Sequence, residues 1–265
     1  MAIIGVLISR VNVGIEQFIT NLIYAPIAYL FIALSGLAVI KILQILQDPS
    51  HNSKINLKQA IGLFGVLYVV GIVLTVVNVV LYSLNTFVII YTIIIVVLWV
   101  SLGLFADKNI IKTEYVCVSI VSLVFTLGII YGALLNTSII PLSIYFIFLT
   151  ASFLQSAREF VKSYDKKDRG GGFITINNEE EREKILKISL TFQVLSSIFF
   201  ILPLFSTITY PILYLFVMII GLIIIGSAMV LTLKSIKEKR DYLRTSWLLK
   251  MGILMELIAF FVVGS

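Results

Sequence analysis

Long apolar runs bounded by polar residues dominate the chain. A membrane-spanning helix needs about 20 apolar residues, which reach roughly 30 Å. Seven such runs are distinct and cover residues 59–83, 86–105, 115–135, 139–161, 184–205, 210–233 and 246–263. Residues 1–47 are too long for one span, so we expect a helix over 2–24 and another over 27–46, divided near Pro26. The pattern predicts nine transmembrane helices, or eight if the first two merge into one bent helix.

Composition supports a polytopic membrane protein. Of the 265 residues, 60% are hydrophobic and 13% are charged, whereas soluble domains have about 45–50% apolar and about 25% charged residues. A single cysteine, Cys117, excludes a disulfide-stabilised secreted domain. The predicted fold class is therefore an all-α, polytopic membrane helical bundle, with residues 1–265 forming a single transmembrane domain.

The basic residues follow the predicted spans in an alternating pattern. All 20 lysines and arginines fall at the start of span one or in and beside the links after the even spans, about 47–58, 106–114, 164–184 and 234–245. The intervening links carry no charge. The positive-inside rule places the charged links and the N-terminus in the cytoplasm and the C-terminus on the opposite side. With eight spans, only Arg10 would change sides. The net charge of +6 thus reflects topology and lipid headgroups, not a nucleic-acid partner.

The end of the predicted sixth span carries the most specific pattern. Residues 156–170 read SAREFVKSYDKKDRG. This stretch resembles the Arg-Glu-Ile-x-Lys-Asp-x-x-Asp-x-x-x-Asp motif of the UbiA-type prenyltransferase superfamily. Residues 129–134 and 247–252 resemble the family's fifth and last spans, and residues 10–12 resemble its Arg-Pro-x-Asn start. The resemblance implies a nine-helix intramembrane enzyme that transfers an isoprenoid chain from its diphosphate, using magnesium held by two Asn/Asp-rich motifs.

Both magnesium motifs are degenerate in this chain. In the first motif, the metal-binding Asn and Asp positions read Ala33, Leu34, Leu37 and Lys41. No carboxylate occurs anywhere between Glu16 and Asp48. Magnesium prefers oxygen ligands, above all carboxylates. The first half of the chain therefore lacks the ligands that the resemblance implies.

The second motif keeps its basic residues and loses its aspartates. Arg158, Glu159 and Lys162 match the family, whereas the three aspartate positions read Ser163, Lys166 and Gly170. Asp165 and Asp168 stand next to those positions and are the only candidate catalytic acids, through a shift in register. The surrounding lysines and arginines would repel a metal ion. We therefore expect no metal site.

The basic residues near this end of the bundle suggest an anion site. If the fold is UbiA-like, Lys41, Arg158, Lys162 and Lys166 lie around one cytoplasmic opening. They could replace magnesium and hold a lipid phosphate. The alternative is that they are separate anchors whose charged ends extend to the headgroups. Glu159, beside Arg158, fits an internal ion pair better than a catalytic role.

Two acids fall inside apolar runs, Glu16 and Glu256. A carboxylate in a membrane is costly and is a candidate for function, here proton relay. The alternative is a paired or protonated residue that only packs. Asn78, Gln155 and Gln193 are expected to make hydrogen bonds between helices.

Three functions remain open. The first is a UbiA-fold protein without prenyl transfer activity, a pseudoenzyme that binds a lipid or isoprenoid or builds a membrane complex. The second is an active prenyltransferase with an altered diphosphate site, which would use magnesium. The third is a small transporter whose pathway includes Glu16 and Glu256. The expected partners are membrane lipids, an isoprenoid lipid and other membrane subunits, and no cofactor is expected for the first function.

Overall fold

A computed structural model describes residues 1–9, 13–47, 56–81, 87–105, 113–137, 140, 142–165, 179–205, 210–238 and 242–263. These ranges contain nine α-helices and no strand. They are α1 (Ala2–Ile8), α2 (Ile15–Gln47), α3 (Leu57–Leu81), α4 (Phe87–Phe105), α5 (Thr113–Leu134), α6 (Leu142–Asp165), α7 (Glu179–Ile201), α8 (Pro211–Glu238) and α9 (Tyr242–Val263). A 3-10 helix, Leu202–Phe205, extends α7. The predicted all-α fold class is confirmed.

Several of the described helices have the length and composition of membrane spans. Within the described ranges, four segments are long and apolar enough to cross a membrane: Ile15–Gly36, Leu57–Leu81, Glu180–Phe205 and Pro211–Ile236. Shorter apolar stretches occupy Phe87–Leu98 and Val121–Leu134. Many leucines, isoleucines and valines on these helices are exposed, as expected for side chains that face lipid. The protein is an integral membrane protein.

The N-terminal region differs from the prediction. Helix α2 has 33 residues and continues through Pro26, so the expected division into 2–24 and 27–46 is wrong. Proline removes one helical hydrogen bond, a loss that membrane helices tolerate because their neighbours compensate for it. The break lies between Ile8 and Ile15 instead. Helix α1 has seven residues, about 10 Å in length, and is too short to cross a membrane alone.

Eight described helices therefore remain with 19 to 33 residues each. If these eight helices are the membrane spans, Arg10 lies on the opposite side of the membrane from the other basic residues. Arg10 and most of the four charged links lie outside the described residues. The cytoplasmic assignment of the links and termini stays a prediction.

Two compact units divide the chain. The first comprises Met1–Thr113 and Leu127–Ile140, and the second comprises Glu114–Thr126 and Pro141–Ser265. In the first unit, α2 packs against α1, α3 and α4. In the second unit, α6 packs against α7 and α9, and α8 packs against the same two helices.

Two glycines bring α1 and α5 into backbone contact within the first unit. A Cβ atom at Gly132 would overlap the carbonyl oxygen of Ala2, and one at Gly5 would overlap the carbonyl oxygen of Ile129. Backbone atoms of a helix have little freedom to move aside. Small residues allow such close approach of membrane helices. Because Gly5 and Gly132 have no side chains, the backbone of α1 can pack directly against the backbone of α5.

Three buried asparagines connect helices of the first unit. Asn21 in α2 donates to the carbonyl of Leu135 (2.9 Å) and to Oδ1 of Asn136 (2.7 Å). Asn136 donates to the carbonyl of Val6 (2.7 Å). Asn78 in α3 donates to Oδ1 of Asn21 (3.1 Å). The network satisfies carbonyls at the ends of α1 and α5, which have no partner within their own helices.

Polar contacts also join the helices of the second unit. The Ser189 hydroxyl of α7 donates to the carbonyl of Ala157 in α6 (2.9 Å). Gln193 donates to Oγ1 of Thr232 in α8 (3.0 Å). Near the polar end of α7, Arg182 donates to the carbonyl of Ser235 (3.0 Å). Helix α7 is therefore fixed to α6 on one side and to α8 on the other.

Candidate functional site

The last turns of α6 carry a polar cluster. Gln155 lies three positions before Arg158 and four before Glu159, and these two lie four and three positions before Lys162, so the four residues share one side of the helix. Two of the intervening residues, Ala157 and Val161, are completely buried. Phe160 is also buried, and its ring stacks on Phe192 of α7 with centroids 5.7 Å apart. Packing of these apolar residues fixes the direction in which the polar cluster points.

Glu159 is the centre of this cluster. Its Oε1 accepts hydrogen bonds from Lys162 Nζ (2.9 Å), Gln155 Nε2 (3.1 Å) and Arg158 Nη1 (3.4 Å). The Glu159 side chain is 15% exposed, whereas those of Arg158 and Lys162 are 20% and 32% exposed. The expected internal ion pair between Glu159 and Arg158 is confirmed, and Lys162 makes a second and shorter one.

Arg158 has a donor without an acceptor. Its Nη1 donates to Gln155 Oε1 (3.3 Å) and Glu159 Oε1 (3.4 Å). Its Nε is buried, and no described residue accepts a hydrogen bond from it. A buried donor without a partner costs about 1–3 kcal/mol. The guanidinium is therefore held by one edge while the other edge has an unmet hydrogen bond.

The described part of the cluster does not fit the magnesium site that the resemblance implies. Glu159 supplies its only carboxylate, and Oε1 of that carboxylate already accepts three hydrogen bonds. Among the described residues, no group of three His, Cys, Asp or Glu side chains lies close enough to hold a metal ion. Two magnesium ions bridging a diphosphate would need several carboxylate oxygens. The described residues therefore support no reaction step through magnesium.

Other predicted site residues are placed less completely. Lys41 lies in α2 and Asp165 is the last residue of α6, but their side chains are outside the described part of the structure. Lys166 and Asp168 lie wholly outside it. Convergence of Lys41 and Lys166 with the α6 cluster stays a prediction, and so does any role of the two aspartates.

The two acids predicted within spans occupy different environments. Glu16 is exposed in the first turn of α2, where a negative charge interacts favourably with the helix dipole. Glu256 in α9 is completely buried in the second unit. Neither of its carboxylate oxygens makes a hydrogen bond to a described residue, although the backbone of Ala151 and the side chain of Tyr214 are nearby. The Tyr214 hydroxyl donates instead to the carbonyl of Phe200 (2.6 Å).

Replacing Glu256 by methionine should raise stability. Methionine has a similar size and removes two polar atoms that lack partners, so we expect a gain of about 1–3 kcal/mol. Thermal unfolding of the purified protein in detergent measures this change. Glu183→Met is the control, because Glu183 is exposed and pairs with Lys187 at the surface. A lower melting temperature for Glu256→Met alone would show that the carboxyl has a favourable partner.

The amide side chains follow the prediction in part. Asn78 and Gln193 make the expected hydrogen bonds between helices. Gln155 does not, because its described partners, Arg158 and Glu159, lie on its own helix. Gln155 lies three positions before Arg158 and four before Glu159, a spacing that could have predicted its contacts with both residues.

Comparisons with known proteins support the fold. No protein-family model matches the chain, and no curated protein matches it. The solved structure of a digeranylgeranylglyceryl phosphate synthase, a UbiA-type prenyltransferase, superposes with a TM-score of 0.71. The match has 23% sequence identity and covers 99% of this chain and 91% of that chain. This protein therefore has the fold of a membrane prenyltransferase and is similar in structure to that synthase.

Proposed function

We propose that this protein binds a lipid or isoprenoid in the membrane and does not catalyse magnesium-dependent prenyl transfer. It acts as a lipid-binding or complex-building subunit on a UbiA-like fold. The fold similarity supports a site for a long apolar chain with an anionic end. The loss of both Asn/Asp-rich motifs from the sequence argues against the reaction.

The state of Glu159 carries this proposal. In the family's second motif, the retained residues are Arg158, Glu159 and Lys162, and here they bond to one another. The carboxylate is neutralised by two cations and by Gln155, so it is poorly suited to bind a metal ion. The two cations remain partly exposed, which suits an anionic ligand.

A second function remains open. Asp165 and Asp168 lie where their side chains are not described, and they could support an altered diphosphate site. This alternative is an active prenyltransferase that moves an isoprenoid chain to a lipid or aromatic acceptor. It requires magnesium, whereas lipid binding by the basic cluster does not.

A transfer assay separates the two functions. We expect no magnesium-dependent release of pyrophosphate when the purified protein is incubated with geranylgeranyl diphosphate in vesicles of total cellular lipid. A digeranylgeranylglyceryl phosphate synthase in the same vesicles, supplied with geranylgeranylglyceryl phosphate as the acceptor of the transferred chain, serves as the positive control. Mass spectrometry of the protein purified in mild detergent should identify a bound lipid or isoprenoid.

Two outcomes would contradict the proposal. Magnesium-dependent pyrophosphate release that is lost in Asp165→Asn or Asp168→Asn would establish the enzyme instead. Protein that carries no lipid above the level of the surrounding detergent micelle would remove the binding function.

A further inference from the structure

The Arg158 guanidinium has described hydrogen-bond acceptors on one side only. Its five N–H groups point in fixed directions within one plane. The Nη1 side is occupied by Gln155 and Glu159. The opposite edge, which contains Nε, is where arginine binds two oxygens of one phosphate or carboxylate through parallel hydrogen bonds. The Nε donor on that edge has no described partner.

The charge of the cluster limits the ligand. Among the described side chains of the cluster, Arg158 and Lys162 face the single negative charge of Glu159, which leaves one net positive charge. Residues 158–169 contain five basic and three acidic residues, which gives this segment a net charge of +2. A prenyl diphosphate carries about three negative charges, which its enzymes neutralise with metal ions. A phosphodiester carries one negative charge and matches the cluster without a metal.

We propose that the Nε edge of Arg158, with Lys162 beside it, binds the phosphodiester headgroup of an anionic glycerophospholipid. This inference rests on the proposed lipid-binding function and names its ligand class. The cluster lies in the last turns of α6, and basic side chains near the end of a membrane helix extend toward the lipid headgroups. Gln155 and Glu159 are positioning residues, because they hold the guanidinium plane by its other edge.

Native mass spectrometry of the full-length protein in detergent tests the ligand class. The probes are phosphatidylglycerol, diacylglycerol, geranylgeranyl diphosphate and inorganic phosphate. We expect phosphatidylglycerol to bind more tightly than diacylglycerol, which has no phosphate, and more tightly than geranylgeranyl diphosphate without metal. Inorganic phosphate at millimolar concentration should not displace it, because the apolar chains contribute to binding.

Arg158→Lys tests whether the planar guanidinium is needed. The change keeps the positive charge and removes the pair of parallel N–H donors. We expect phosphatidylglycerol to bind about tenfold more weakly, the scale of one charge-assisted hydrogen bond. Diacylglycerol binding and the melting temperature should not change. Arg244→Lys, at an exposed position in α9, is the matched control and should lose less than twofold.

Three results would overturn the inference. They are unchanged phosphatidylglycerol binding by Arg158→Lys, equal losses in both variants, and tighter binding of the diphosphate than of phosphatidylglycerol. Displacement by inorganic phosphate alone would assign the site to a free anion. The proposed function fails by magnesium-dependent pyrophosphate release or by the absence of any bound lipid. None of the results above requires either, so failure of the inference is distinct from failure of the proposed function.

Discussion

Replacing Gly132 by alanine should displace α1 from α5. The added Cβ would overlap the carbonyl oxygen of Ala2 and lie 2.9 Å from its carbonyl carbon and 3.0 Å from the backbone nitrogen of Val6. These are backbone atoms, so relief requires movement of the whole helix. We expect a loss of about 3 kcal/mol or more, at the upper end for overpacked cores. In thermal unfolding in detergent, this is a decrease of about 5–10 °C.

Gly65→Ala provides the matched control. Gly65 lies within α3, and a Cβ there would have no atom within 4 Å. Alanine favours the helix over glycine by about 0.5–1 kcal/mol, so this variant should be unchanged or slightly more stable. Gly5→Ala should reproduce the loss, because its Cβ would overlap the carbonyl oxygen of Ile129. Equal melting temperatures for Gly132→Ala and Gly65→Ala would contradict the close contact between α1 and α5.

Replacing Asn21 by alanine should also lower stability substantially. The change removes the described hydrogen-bond partner of the Leu135 carbonyl, of the Asn136 side-chain oxygen and of the Asn78 amide. Hydrogen bonds between membrane helices average about 0.6 kcal/mol, and a buried group left unpaired costs about 1–3 kcal/mol. We expect a total loss of about 2–4 kcal/mol in thermal unfolding. Ser227→Ala, which removes an exposed hydroxyl of α8, is the control and should have little effect.

A double-mutant cycle tests whether the asparagines act together. Asn21 and Asn136 share a hydrogen bond of 2.7 Å, so the loss in Asn21→Ala combined with Asn136→Ala should be smaller than the sum of the single losses. Additive losses would show that each asparagine stabilises the protein independently. That result would contradict a connected network.

Much of the candidate site followed from spacing along the chain. Arg158, Glu159 and Lys162 are close in sequence, and a helix places such residues side by side without help from any other element. Their ion pairs could therefore be predicted. The unmet Nε of Arg158 could not, because the orientation of a guanidinium depends on which neighbours hold it.

The position of the N-terminal helix break could not be predicted from the local sequence. Pro26 marked the most obvious interruption, yet α2 continues through it. The break before Ile15 leaves α1 with backbone carbonyls that need partners. Those partners include Asn136, which lies 130 positions from Val6, and no pattern within residues 1–47 reveals it.

The lengths of the apolar runs and the placement of charges between them were enough to predict an all-helical membrane protein, because each run must satisfy its own backbone hydrogen bonds in lipid. The contacts that hold the helices together depended on the tertiary structure. Asn21 and Leu135 are 114 positions apart, and Gly132 differs from Gly65 only in what lies opposite it. A glycine in an apolar run has the same local sequence signal whether it faces lipid or another backbone, so only the packed helices distinguish the two.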